Sequence, residues 1–260
     1  MDKLYIIKIG GNIIDDEAKL ASFLQVFAAI DAKKILVHGG GKLATRMAEA
    51  MGVQQQMIDG RRITDAETLK IVTMVYAGYI NKNIVAILQS LGCNAIGLSG
   101  ADGNVIRAHQ RKGAVDYGFV GDVDTVNATL LNQLLEQHDT VVLAPITHDG
   151  KGQLLNTNAD TIAQETATAM SELFHTELIY SFEKSGVLLD VNDDASRISQ
   201  LTPASYQQLK AEGKIFAGMI PKLDNTFVAL QRGVKKVVIG KAEELQQLIA
   251  GNNGTSIVHE

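Results

Sequence analysis

A lysine inside an apolar strand is the first sign of chemistry in this chain. Leu4-Tyr5-Ile6-Ile7-Lys8-Ile9-Gly10-Gly11 is rich in β-branched residues, holds one ammonium and ends in paired glycines. Such a run predicts a strand buried on both faces. An ammonium is costly to bury unless it emerges at the carboxyl edge of the sheet, where open α/β folds keep their ligands. Lys8 is then a fixed positive charge beside a glycine exit at which a backbone can approach an anion. The plainer alternative is a lysine snorkelling out of an edge strand.

Four further stretches carry candidate chemistry. Lys34 to His38 is a second strand-like run that ends in Gly39-Gly40-Gly41 and passes into a helical pattern from Lys42 to Ala48. Strand, glycine loop and helix start is the geometry in which backbone N–H groups converge on an anion at the positive end of a helix dipole. Neither Walker A spacing nor a Gly-x-Gly-x-x-Gly fingerprint is present, so a plain tight turn competes with an anion cradle. His38 reads as a hydrogen-bonded structural histidine rather than a base. After a turn at Gly60, Arg61 and Arg62 point in different directions; either both are surface groups or one grips a ligand carboxylate with its fork. Asn156, Asn158 and Asp160 alternate at the entrance of a helix running to about Met170, where simple capping would need only one of the three. Lys222 stands beside a helix start, opposing the dipole unless an anion faces it.

The elements that must position these groups alternate. Helical patterns at Asp15 to Ile30 (capped by Asp15 or Asp16), Glu67 to Leu88, Asn127 to Gln137, Pro203 to Glu212 and Glu243 to Ile249 separate strand-like runs at Ala95 to Leu98, Thr140 to Ile146, Leu178 to Phe182 and Lys235 to Ile239. Ala101 to Val123 reads as a hairpin region, and Thr255 to Val258 as a final edge strand. This alternation predicts a largely parallel sheet with helices on both faces. With 46% hydrophobic and 20% charged residues and 24 glycines, the 260-residue chain has an ordinary globular composition. A net charge of −5 argues against nucleic-acid binding. Cys93 is the single cysteine, so no intrachain disulfide can form, which suits a reducing cytoplasm. No signal sequence is apparent, and no apolar run approaches the ~20 residues that span a bilayer, so no membrane partner is expected.

Taken together, Ile7-Lys8-Ile9-Gly10-Gly11, Val37-His38-Gly39-Gly40-Gly41, Gly60-Arg61-Arg62-Ile63-Thr64, Asn156-Thr157-Asn158-Ala159-Asp160 and Gly218-Met219-Ile220-Pro221-Lys222 resemble, in order and spacing, the motifs of the amino acid kinase family. They resemble most its acyl-glutamate kinase branch rather than the carbamate, aspartate or glutamate kinases. The resemblance implies an α/β three-layer sandwich with a mainly parallel, roughly eight-stranded sheet. It implies an N-terminal lobe (1–174) for acyl-glutamate binding and dimerisation and a C-terminal lobe (175–260) for ATP. The implied reaction is transfer of the γ-phosphoryl of ATP, with Mg²⁺, to the side-chain carboxylate of N-acetyl-L-glutamate, the second step of arginine biosynthesis. N-succinyl-L-glutamate as substrate, or a catalytically silent sensor on the same fold, are the alternatives.

By position in these motifs, Lys8 and Lys222 match the family's transition-state-stabilising lysines and Asp160 the carboxylate that positions them. Gly40, Gly41, Arg62 and Asn156 match the acyl-amino-acid site. Gly10, Gly11, Glu183, Lys184, Ser185, Gly186 and Gly218 fall on the nucleotide side, and no protein metal ligand is assigned. A carboxylate nucleophile is already ionised, so the reaction needs positive charge along the in-line path more than it needs a base. Phe182-Glu183-Lys184 stands where relatives commonly have Thr/Ser-Asp-Val, with Lys184 a possible extra phosphate or ribose contact. Arginine-inhibited hexameric relatives carry an N-terminal helix with no counterpart before Leu4, so a homodimer with weak or no arginine feedback is expected.

Overall fold

Side-chain alternation decides where each residue of the central strand goes. In the computed structural model, which describes residues 1–58, 61–215 and 219–259, β1 (Lys3–Ile9) sends Leu4 and Ile6 into one apolar core and Tyr5, Ile7 and Ile9 into another. Each fully buried aliphatic side chain in these cores contributes about 1.5–3 kcal/mol. After β1 come one helical turn α1 (Gly11–Ile14), α2 (Glu17–Ala28), β2 (Lys33–His38), α3 (Gly41–Ala50) and the short antiparallel pair β3 (Met57–Ile58) and β4 (Arg61–Arg62). Next are α4 (Ala66–Thr73), a π-helical stretch at Met74–Ile80, α5 (Asn81–Ser90), β5 (Ala95–Leu98), β6 (Ile106–Gln110), β7 (Val120–Val126) and α6 (Ala128–Gln137). β8 (Thr140–Leu143), β9 (Ile146–His148), β10 (Leu154–Thr157) and α7 (Ala159–Met170) follow. The remainder is β11 (His175–Phe182), β12 (Gln200–Leu201), α8 (Pro203–Ala211), α9 (Ile220–Gln231), β13 (Lys236–Lys241), α10 (Leu245–Ala250) and β14 (Thr255–Ile257).

Eight strands form one sheet in the order β12-β14-β13-β11-β1-β2-β8-β5, parallel throughout except where β13 meets β14. Helices α2 to α5 and α10 cover one face, and α6 to α9 the other. This is the expected three-layer α/β sandwich. β1 and β11 are neighbours whose onward connections run to opposite sides of the sheet, β1 to β2 and β11 to β12 and β13. The carboxyl ends of β1 and β11 therefore flank the kind of crevice in which parallel sheets hold ligands.

Several local expectations are corrected. The run Thr140 to Ile146 is not one strand: it breaks after Leu143, and Ile146 opens β9 in a small closed barrel with β10, β7 and β6. Pro145 has no N–H to continue the ladder. Asn156 is on strand β10, paired with β7 and β9, rather than at the helix entrance. Thr255 to Val258 does not close the sheet, because the two-residue β12 lies outside β14.

The helix expected over Glu67 to Leu88 spans Ala66–Ser90, with the Asp65 carboxylate accepting the Thr68 N–H at 2.7 Å as its cap. By length and composition this is the one helix among the described residues that could cross a bilayer, although no comparable uninterrupted run stood out in the sequence. Glu67, Lys70, Asn81 and Lys82 interrupt its apolar character, while Val72, Ile80, Ile84 and Leu88 are buried in the core that it shares with α2. Those are the marks of a core helix.

Candidate active site

Lys8 shares its face of β1 with Leu4 and Ile6, the face covered by α7 and α9. Strand parity alone therefore aims its side chain toward the first turns of those two helices. The Asn158 side chain caps α7 by accepting N–H groups of Asp160 at 2.8 Å and Thr161 at 3.2 Å, which fixes Asp160 in the opening turn. Lys222 occupies the third position of α9. The three charges meet: Lys8 Nζ lies 2.7 Å from one Asp160 carboxylate oxygen and Lys222 Nζ 3.6 Å from the other. Two groups more than 200 residues apart in sequence are thus brought to one carboxylate.

The electrostatics of the cluster are lopsided. Burial pushes the Asp160 carboxyl up, but the ammonium groups of Lys8 and Lys222 outweigh it and hold the acid below the usual carboxylate range. Burial pulls Lys222 below the ordinary lysine value, with Asp160 opposing and Lys8 reinforcing that fall. Two cations share one anion, which leaves net positive charge for a bound oxyanion to neutralise.

Two cavities share Gly41 on their walls: one is bounded by Asn158, Ala159 and Thr161, the neighbours of Asp160, and the other by Lys8 and Lys222. The first, about 200 Å³, is lined by Gly40, Gly41, Arg61, Arg62, Tyr76 and Asn156, among others. Gly40 has φ +141°, and a Cβ there would stand 2.2 Å from Ile80 Cδ1. Only glycine lets the loop into α3 settle against the π-helical stretch. Arg62 is buried, donating from Nη2 to the Gly41 carbonyl and the Thr45 hydroxyl, each at 2.9 Å, and from Nη1 to Gln55. Arg61 is exposed on the wall of the same cavity, so the two arginines divide as one buried and one exposed. The Asn156 amide donates to Thr64 Oγ1 at 3.0 Å.

The second cavity, about 590 Å³, has Lys8 and Lys222 on its wall with Gly10, Gly11, Lys42, Glu183, Lys184 and Gly186. Ile13, Phe182, Leu188, Val191, Met219 and Ile239 supply an apolar side. Cβ atoms at Gly10 or Gly11 would meet their nearest protein atoms at an ordinary 3.7 Å. Nothing packed against them demands glycine, so the space they save belongs to the cavity. Gly186 is different: φ +156° and a Cβ 2.5 Å from Thr255 Oγ1 make it glycine for the fold's own reasons.

Most residues singled out in the sequence thus fall on this one crevice. Ser185 is buried and does not line the second cavity, and Gly218 lies outside the described residues, as does Gly60. His38 is structural: its Nδ1 is 2.8 Å from the Gly39 carbonyl, Asn81 Nδ2 is 3.3 Å from Nε2, and burial pushes the imidazole pKa down to about 4. Among residues the sequence did not flag, Tyr76 lines the first cavity and Lys42 the second. Lys42 follows the third glycine of a run already marked, a signal that could have found it. Tyr76 left none, because nothing in the residue order announces a π-helical stretch.

Fold and site together define a class: an open, mainly parallel α/β protein with two lysines on one carboxylate at the carboxyl ends of its central strands, between a small polar cavity and a larger half-apolar one. Comparison with known proteins narrows the class. The chain belongs to the amino acid kinase family, whose sequence model matches residues 3–241. It is 57% identical to the acetylglutamate kinase of Cytophaga hutchinsonii over 99% of both chains, and 38% identical to that of Methanopyrus kandleri over 92% of this chain and 96% of the relative. Among solved structures, N-acetylglutamate synthase from Neisseria gonorrhoeae, complexed with coenzyme A and N-acetyl-glutamate, superposes with a TM-score of 0.82 at 20% identity, over 100% of this chain and 60% of that one. Giardia lamblia carbamate kinase bound to AMP-PNP superposes at 0.71 with 13% identity, over 100% and 99%. At such identities the structural likeness speaks for the fold alone.

Proposed function

We propose that this protein phosphorylates the side-chain carboxylate of N-acetyl-L-glutamate with ATP, in arginine biosynthesis. The observation that carries the reading is the cluster of Lys8, Asp160 and Lys222 beside both cavities. The relatives' shared name, acetylglutamate kinase, supports the choice of acceptor.

In this reading the smaller cavity takes the acyl-glutamate, with Arg62 and Asn156 as its polar contacts. The larger takes ATP, its apolar residues other than Phe182 against the base and its lysines toward the phosphates. The acceptor carboxylate attacks in line without a general base. Lys8 and Lys222 neutralise charge on the transferred phosphoryl group and on the leaving phosphate, and Asp160 holds the two ammonium groups in place. Backbone N–H groups at Gly10, Gly11 and the start of α3 add donors without adding charge. Mg²⁺ fits as a passenger of the phosphates: among the described residues no three His, Cys, Asp or Glu side chains gather to hold a metal alone, and Glu183 is the carboxylate on the larger cavity's wall. When bound, it supplies charge neutralisation between phosphate oxygens.

The lobes 1–174 and 175–260, which contribute four strands each to the sheet, carry acceptor and nucleotide respectively. Exposed Met47, Met51, Met57, Met74 and Tyr79 support a homodimer formed around α3 and the π-helical stretch. A cytoplasmic location suits the lone buried Cys93.

Hydroxamate trapping of the acyl phosphate tests the reading. Product is expected with N-acetyl-L-glutamate, ATP and Mg²⁺, at a higher kcat/KM than with N-succinyl-L-glutamate. Lys8→Met and Lys222→Met should each lower kcat by roughly 10²–10³-fold. No product with either acyl-glutamate would refute the proposal.

A further inference from the structure

We propose that Phe182 is a positioning residue for phosphoryl transfer, its ring face holding the Lys8 and Lys222 ammonium groups at the reaction centre as protonated cations. The proposal rests on the kinase reading above. Lys222 Nζ lies 3.9 Å and Lys8 Nζ 5.2 Å from the ring centroid, both within the ~6 Å over which an aromatic face attracts a cation.

The ring is not free to turn away. Phe182 ends β11 and stacks on Tyr180, two residues earlier on the same strand face, with centroids 6.0 Å apart and planes 9° from parallel. Tyr180 is buried, and its hydroxyl donates to the Asp160 backbone carbonyl at 3.2 Å. Ring, carboxylate and both lysines are therefore one assembly, held by β1, β11, α7 and α9 together.

The chemistry favours an aromatic here over the two simpler choices. One carboxylate cannot balance two ammonium groups, and a second would capture the N–H donors that phosphate oxygens need while repelling the phosphates. An aliphatic side chain would fill the space and leave the mutual repulsion of the cations unopposed. A π-face stabilises the cations with no net charge and without taking a strong hydrogen bond, so the N–H groups stay available to the substrate.

The test replaces Phe182 in the full chain by 4-fluoro-, 3,5-difluoro- and 3,4,5-trifluorophenylalanine, which weaken the face stepwise at nearly constant shape. Two quantities are read: acyl-phosphate kinetics, and the titration of the two lysine ammonium groups by ¹⁵N NMR. The other charged groups around them, Asp160 on α7, Lys42 on α3, and Glu183 and Lys184 after β11, are common to the whole series. With each fluorine, kcat should fall, reaching about tenfold at the trifluoro ring, while KM for the acyl-glutamate stays within about twofold. The Lys222 ammonium should titrate at progressively lower pH. Phe182→Tyr should keep kcat within about threefold, and Phe182→Leu should fall with the trifluoro protein. An active parent chain whose rate stays flat across the series overturns the role of Phe182 alone, whether or not the titration moves. A parent chain that forms no acyl phosphate overturns the kinase reading and this role with it.

Discussion

Asparagine at position 160 would keep the shape of the cluster and remove the one negative charge between two positive ones. At an effective dielectric of ~20, the pair at 2.7 Å attracts by about 6 kcal/mol and the pair at 3.6 Å by about 5 kcal/mol, before desolvation. The Lys222 side chain is 39% exposed, so its share is discounted to about 1 kcal/mol or less. The buried Lys8 pair carries the rest, and Asp160→Asn should destabilise the ligand-free protein by about 3 kcal/mol. A triphosphate brings its own negative charge to the two orphaned ammonium groups, so saturating ATP should remove most of that deficit. KM for ATP should hold or fall, because a carboxylate no longer repels the phosphates, while kcat drops by roughly 10²–10³-fold for want of correctly placed lysines. The protonated lysine is the working form, and Lys222 already lies below its ordinary value with Asp160 opposing the fall. Without Asp160 the alkaline limb of kcat should move to lower pH. Thermal melts with and without ATP, and hydroxamate kinetics between pH 6 and 10, measure all of this. A variant with wild-type kcat, or one with a raised KM for ATP and kcat intact, would show that Asp160 does not position the lysines.

Gly40→Ala places a Cβ 2.2 Å from Ile80 Cδ1 at φ +141° and should destabilise by about 2–4 kcal/mol in urea melts. Adding Ile80→Val should recover only the steric part, since the backbone strain remains. Asn158→Ala removes the cap of α7 and should lose about 1 kcal/mol of stability, with kcat falling more than KM rises because the capped turn carries Asp160. His38 titrates near 4 when folded, against ~6.5 unfolded, so between those values the unfolded chain holds a proton that the native protein does not. Its contribution to stability therefore falls as pH drops through that window, by about 1.4 kcal/mol per pH unit. Urea titrations should show the stability advantage of the wild type over His38→Gln shrinking by up to about 3 kcal/mol between pH 7 and 4.

The order of residues alone determined a good deal here. The Leu4 to Gly11 run is legible as a buried strand because apolar density and a glycine exit are local properties, and the same holds for Asp16 as a cap. Motif order along the chain carried the family and the candidate lysines. Tertiary structure decided what depends on contacts distant in sequence. Pro145 turned an apparent strand into the border of a separate barrel, and the two-residue β12 took the sheet edge from β14. The π-helical stretch brought Tyr76 to a cavity wall, and Phe182 came to lie against two lysines that precede and follow it. No local pattern encodes such meetings, because they arise where strand parity on β1 and β11 coincides with the first turns of α7 and α9. Charge spacing in sequence says which groups are present; only the packed sheet brings Lys8 and Lys222 each within 4 Å of the Asp160 carboxylate.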